Sequence, residues 1–126
     1  MNKKKDLFLI VDDEPDMCWA LEYMLKRNGI LSKRALSGQE AISLMESNRF
    51  RAAFLDAKLP DIEGLELARR LRDIDPAIHI VMISGYFYRD DNDVQNALAE
   101  GLIKSFIGKP FDHDQVLKSI EPTNVS

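Results

Sequence analysis

The sequence predicts an α/β domain in which five strands alternate with five helices around a single parallel sheet. Two observations carry this reading. Hydrophobic periodicity switches repeatedly between continuous apolar runs and helical spacing along the chain. Three of the apolar runs also stop at a polar residue suited to chemistry: Asp12 after the first, Asp56 after the third and Ser84 after the fourth. Strands joined through helices pair in parallel and need cover on both faces.

Taken in order, Leu7–Val11 is a continuous apolar run that reads as a buried strand, ending in Asp12-Asp13-Glu14-Pro15. Pro15 suits the first turn of a helix. Trp19, Ala20, Tyr23, Met24 and Leu25 recur at helical spacing until Asn28-Gly29 stops the run, and Trp19 is expected in the core. A short strand follows at Leu31–Ala35. Ser37 and Glu40 match a capping box opening a helix with Ala41, Ile42, Leu44 and Met45 on its apolar face. Ala52–Leu55 is the third strand, Lys58–Gly64 a loop, and Leu65, Leu67, Ala68 and Leu71 the apolar positions of the next helix. Ile78–Ile83 is the most apolar strand. A helix over Asp93–Glu100 stopped by Gly101, a strand at Phe106-Ile107 before Lys109-Pro110, and a helix over Asp112–Ile120 complete the pattern. The result is a (βα)5, flavodoxin-like doubly wound domain.

A length of 126 residues fits one domain with one core, expected over residues 1–120, with 121–126 a C-terminal tail or truncated linker. A net charge of −4 argues against binding nucleic acid through its phosphates, and Lys3–Lys5 reads as a solvated tail. Cys18 is the only cysteine, which excludes an intrachain disulfide and a thiolate metal cluster and suits a reducing cytoplasm. The Leu7–Val11 run is far too short for a signal sequence or a membrane span. His79 and His113 are too isolated to suggest a metal site.

Ligands of doubly wound sheets sit at the carboxyl ends of the strands, where the strand order reverses. Asp12, Asp13, Asp56, Ser84 and Lys109 all fall there. Singly, each has a plain structural reading as a cap, a turn residue or a surface lysine; together on one edge they form a coherent chemistry. Two carboxylates about 4 Å apart repel by roughly 4 kcal/mol at an effective dielectric near 20, so three would shift their pKa values or recruit a cation. Mg²⁺ suits such a cluster because it prefers carboxylate oxygens and completes its shell with water or phosphate. Asp56 then has the character of a nucleophile toward an activated phosphoryl group. Lys109 and Ser84 are placed to stabilise the transferred oxygens.

Phe8–Pro15 (FLIVDDEP), Asp56–Gly64 (DAKLPDIEG), Ile83-Ser84-Gly85 and Phe106–Phe111 (FIGKPF) resemble the receiver domains of two-component response regulators over roughly Asp6 to Ile120. The resemblance implies phosphorelay signalling: a histidine kinase or phosphotransfer protein phosphorylates Asp56, and the domain, a switch rather than an enzyme, controls an output partner or effector. It implies direct Mg²⁺ ligation by Asp13, Asp56 and the Lys58 carbonyl, with Asp12 acting through water. It also implies a phosphoryl contact from Lys109, a cis bond to Pro110, and a coupled switch at Ser84 and Phe106. Partner binding or homodimerisation would follow through the face of the last two helices and the last strand.

Cys18–Glu22 (CWALE) looks like receivers attached to enhancer-binding activators. The chain departs from the family pattern in a longer Ser84–Lys109 interval, with the excess placed in Tyr86–Asp91, and in Phe106 where tyrosine is commoner. Lys58 and Tyr86 are expected to shield the acyl phosphate from water. Other readings fit less well. A haloacid-dehalogenase-type phosphatase wants Asp-x-Asp where this chain has Asp12-Asp13-Glu14, and an FMN binder would not place acids against the cofactor's phosphate. A pseudo-receiver would not need the full acid, Ser84 and Lys109 set.

Overall fold

The computed structural model describes residues 7–85 and 92–120, so expectations for Lys3–Lys5, Tyr86–Asp91 and Glu121–Ser126 lie outside the described residues. The elements alternate strictly. They are β1 (Leu7–Val11), α1 (Pro15–Arg27), β2 (Leu31–Ala35), α2 (Gly38–Ser47), β3 (Ala52–Asp56), α3 (Gly64–Ile74), β4 (His79–Ser84), α4 (Asn92–Ala99), β5 (Ser105–Gly108) and α5 (His113–Ile120). All neighbouring strands pair in parallel in the order β2-β1-β3-β4-β5. The chain steps outward from β1 to β2, then returns past β1 to β3 and continues the other way. Right-handed crossovers therefore place helices on opposite faces and open a crevice between β1 and β3.

The period of the strands sorts the core into two layers. Leu9, Val11, Leu55, Ile80 and Met82 pack with Ala41 and Met45 of α2, Leu67 and Leu71 of α3, and Val94 and Ala97 of α4. Phe8, Ile10, Phe54, Val81 and Ile83 pack on the other face with Cys18, Leu21 and Leu25 of α1 and Val116 of α5. β1, β3 and β4 are buried on both sides, which is why they read as unbroken apolar runs. Each large aliphatic or aromatic side chain so buried contributes about 1.5–3 kcal/mol.

Helix ends follow local chemistry. The Ser37 hydroxyl accepts from Glu40 N at 3.2 Å, while the Glu40 carboxylate accepts from Leu36 N at 2.8 Å, so the box closes one residue before the cap. Asn28 ends α1, and Gly29 turns the chain at φ 76°, a left-handed conformation that suits glycine. α5 begins at His113 rather than Asp112, because Asp112 caps it: its carboxylate accepts from Gln115 N and the Gln115 side chain accepts from Asp112 N.

One expectation is corrected. Trp19 is not in the core: it is 60% exposed, and Tyr23 49%. The buried stripe of α1 is Cys18, Leu21 and Leu25, turned about one residue from the expected face. Cysteine ranks among the most buried residue types and displaces the bulkier indole here. Trp19 and Tyr23 instead stack on each other in solvent, ring centroids 5.3 Å apart, with the Arg27 guanidinium over Tyr23. Among the described residues, no helix is long and apolar enough to cross a membrane.

Candidate functional site

The site lies at the carboxyl ends of β1, β3, β4 and β5. Asp12 leaves β1 still tied to the sheet, its N–H donating to Ala35 O at 3.1 Å. Its carboxylate is buried, only 3% of the residue being exposed. One oxygen accepts from Glu14 N at 3.0 Å, and the other accepts from Lys109 Nζ at 3.0 Å. The Cys18 thiol donates to the Asp12 carbonyl, and burial pushes that thiol up to about 11. Asp13, the next residue, is exposed and lines the mouth of the crevice.

Asp56 ends β3, directly beside β1 in the sheet. Its side chain is 12% exposed. Burial, then the Asp12 charge, raise its carboxyl to about 6; Lys109 and the Lys58 backbone N–H, which donates to it, oppose that rise. Gly64 permits this geometry, since a Cβ there would stand 2.7 Å from the Asp56 carbonyl oxygen and 2.9 Å from Ala57 Cα.

Lys109 reaches in from the end of β5. Its ammonium stands 3.0 Å from Asp12, 3.4 Å from Glu14 and 3.8 Å from Asp56. Burial by itself would lower its pKa, but hydrogen bonding and attraction from Asp12, with Asp56 and Glu14, raise it above the usual lysine value. Lys109 N donates to Ser84 O at 2.7 Å, and the Lys109–Pro110 bond is cis, as expected. A cleft of about 530 Å³ opens over the cluster, lined by Asp13, Glu14, Asp56, Lys58, Gly85 and Lys109.

Thus Asp12, Asp13, Asp56 and Lys109 converge as expected, and Lys58 is exposed at the cleft wall. Ser84, the residue before Gly85 of the cleft wall, is buried and does not line the cleft, and Phe106, opposite Met82 in the β4–β5 register, packs partly buried on the same core layer as Met82. Glu14 joins Lys109 without having been singled out, although its place beside Asp13 was the available signal.

The carboxylates offer oxygens that all lie within 4.8 Å of one another. At an effective dielectric near 20, each such pair repels by roughly 3.5 kcal/mol. Lys109 supplies only one compensating charge. The donor set is all oxygen, with no thiol or imidazole, and suits a hard dication.

This fold, carrying an acidic crevice with a half-buried lysine and a half-buried carboxylate at the strand-order reversal, defines a class of small phosphoryl-accepting switch domains. Residues 8–121 match the model of the response regulator receiver domain family, and the chain belongs to that family. It is 28% identical over 121 residues to sporulation initiation phosphotransferase F of Bacillus subtilis (strain 168), covering 96% of this chain and 93% of that protein. The receiver domain protein (CheY-like) from Methanospirillum hungatei JF-1 superposes with a TM-score of 0.84 at 27% identity, covering 93% of this chain and 91% of that one. The response regulator protein TrrA from Thermotoga maritima, solved in complex with Mg²⁺-BeF, gives 0.78 at 28% identity, covering 91% and 96%. Receiver domains act in phosphorelay signal transduction as phosphoacceptor switches, through phosphorylation of an aspartate, and work with histidine kinases or phosphotransfer proteins. They bind Mg²⁺ through acidic residues.

Proposed function

We propose that Asp56 is the phosphoacceptor of this domain. The observation that supports it most is position: Asp56 is the strand-end carboxylate that shares the cleft with Asp13 and Lys109. An Asp56 oxygen attacks the donor's phosphorus, forming the acyl phosphate bond while the donor's bond to phosphorus breaks and its electron pair leaves with the donor. Lys109 remains an ammonium and donates to the incoming oxygens, having Asp12 at 3.0 Å to orient it. Asp12, Asp13, Asp56 and the Lys58 carbonyl would hold Mg²⁺, with Asp12 acting through water. When bound, the ion offsets the carboxylate charge and polarises the transferring group.

The donor is a sensor histidine kinase or phosphotransfer protein, and the location is the cytoplasm. The domain assists its own phosphorylation and dephosphorylation and turns over no separate substrate, binds no nucleic acid directly and engages no membrane. Residues 1–120 form the receiver domain. Output runs through Ser84, whose carbonyl accepts from Lys109 N, and Phe106 on the adjacent strand. Withdrawal of Ser84 toward the phosphoryl group leaves space for the Phe106 ring, altering the face of α4, β5 and α5 for a partner, an effector domain or a second copy.

The test is intact-mass measurement after incubation with acetyl phosphate and Mg²⁺. Wild type should gain one phosphoryl group, and Asp56→Asn or excess chelator should prevent it. Full labelling of Asp56→Asn would refute the assignment.

A further inference from the structure

The loop between Asp56 and α3 is closed at its base and pinned at its tip. At the base, Ala57 N donates to Ile83 O and Gly64 N donates to Ala57 O, both at 2.9 Å, and Lys58 and Glu63 form an antiparallel bridge. At the tip, the Asp61 carboxylate leaves its own loop and caps a different element. One oxygen accepts from Gly38 N at 2.9 Å and the other from Gln39 N at 3.0 Å, at the start of α2. Those two N–H groups hold the Asp61 carboxyl below the usual carboxylate range. The contact is close: a Cβ at Gly38 would overlap Ile62 Cγ2, so glycine lets the tip dock.

α2 does not depend on this carboxylate for an ordinary cap, since the Ser37 hydroxyl already accepts from Glu40 N. The second capping group comes from a loop that begins at the acceptor strand. The same loop delivers the Lys58 N–H to the Asp56 carboxylate. A segment this short, fixed at base and tip, has little freedom to let that N–H drift.

We infer that Asp61 is a positioning residue for phosphorylation, clamping the loop onto α2 so that the Lys58 backbone stays aligned with Asp56. The inference rests on Asp56 being the acceptor. Misplacement of a catalytic group by about 1 Å can cost up to about a hundredfold in rate, so loss of the clamp should slow labelling about tenfold at saturating donor.

The experiment compares Asp61→Ala, Asp61→Asn and Ser37→Ala in the full chain. Both alanine variants remove a cap from α2 and should lose comparable thermal stability. Of these two, Asp61→Ala but not Ser37→Ala should slow labelling by acetyl phosphate at saturating donor and Mg²⁺ and speed amide exchange at Lys58 without Mg²⁺. Asp61→Asn, which keeps one acceptor, should fall between. Wild-type labelling and Lys58 exchange in Asp61→Ala, or equal slowing in Ser37→Ala, would overturn the positioning role. A wild-type protein that takes no label would instead overturn the Asp56 assignment beneath it.

Discussion

Ionised Asp56 is a burden on the metal-free domain, and its removal should therefore stabilise the fold. Burial and the Asp12 charge raise the carboxyl from 3.8 to about 6. At 1.36 kcal/mol for each tenfold change in proton affinity, that displacement corresponds to about 3 kcal/mol. The sign follows from proton linkage. The folded carboxyl binds its proton more tightly than the unfolded one, so stability falls as pH rises from about 4 to about 6. Above that window the penalty is complete; below it the penalty is absent. Asp56→Asn, which carries no charge at any pH, should be more stable than wild type by about 2–3 kcal/mol at pH 8 in chelator, shrinking toward zero near pH 4. Urea unfolding at both pH values measures this directly. Saturating Mg²⁺ should narrow the gap at pH 8, since a ligand at a hundred times its Kd stabilises wild type by about 2.7 kcal/mol. A variant less stable than wild type at pH 8, or a gap independent of pH, would refute the electrostatic account.

Other consequences are more local. Lys109→Ala removes the ammonium 3.0 Å from Asp12 and 3.8 Å from Asp56; it should destabilise the metal-free fold by about 3 kcal/mol in urea unfolding and slow labelling, and unchanged values would contradict its role. Phe54→Ala opens a cavity between β3 and the α1–α5 layer and should cost about 3–5 kcal/mol by denaturant unfolding. Cys18, buried and with its thiol raised to about 11, should resist alkylation at pH 8 until urea is added, as mass spectrometry would show. Lys58, exposed at the cleft wall, should slow hydrolysis of the phosphorylated form; Lys58→Ala should dephosphorylate faster after donor removal, and an equal or slower rate would remove it as a shield.

The order of elements was legible because burial on both faces leaves an unmistakable mark. β1 and β3 lie under helices on either side, and no polar residue interrupts Leu7–Val11 or Ala52–Leu55. The acids and Lys109 were legible for a related reason: polar residues that end such strands must share the sheet's carboxyl edge. Helix orientation was harder. Trp19 and Tyr23 outweigh Cys18 in apolar area, yet the crowded space against β1 takes the small thiol. The links between distant segments were hidden for a different reason. Nothing local in Pro60-Asp61-Ile62 announces that its carboxylate will cap a helix 22 residues earlier in the chain. Asp112 and Gln115 did carry a readable signal, a capping pair at the right spacing, and it places the start of α5.

The most direct test of the central claim is to locate the phosphoryl group chemically. After incubation with acetyl phosphate and Mg²⁺, borohydride reduces an aspartyl phosphate to homoserine, and peptide mass mapping finds the altered residue. The geometry predicts homoserine at position 56 alone, with Asp12 and Asp13 unmodified. Homoserine at 12 or 13, or phosphate uptake with Asp56 intact, would contradict the assignment of Asp56 as acceptor.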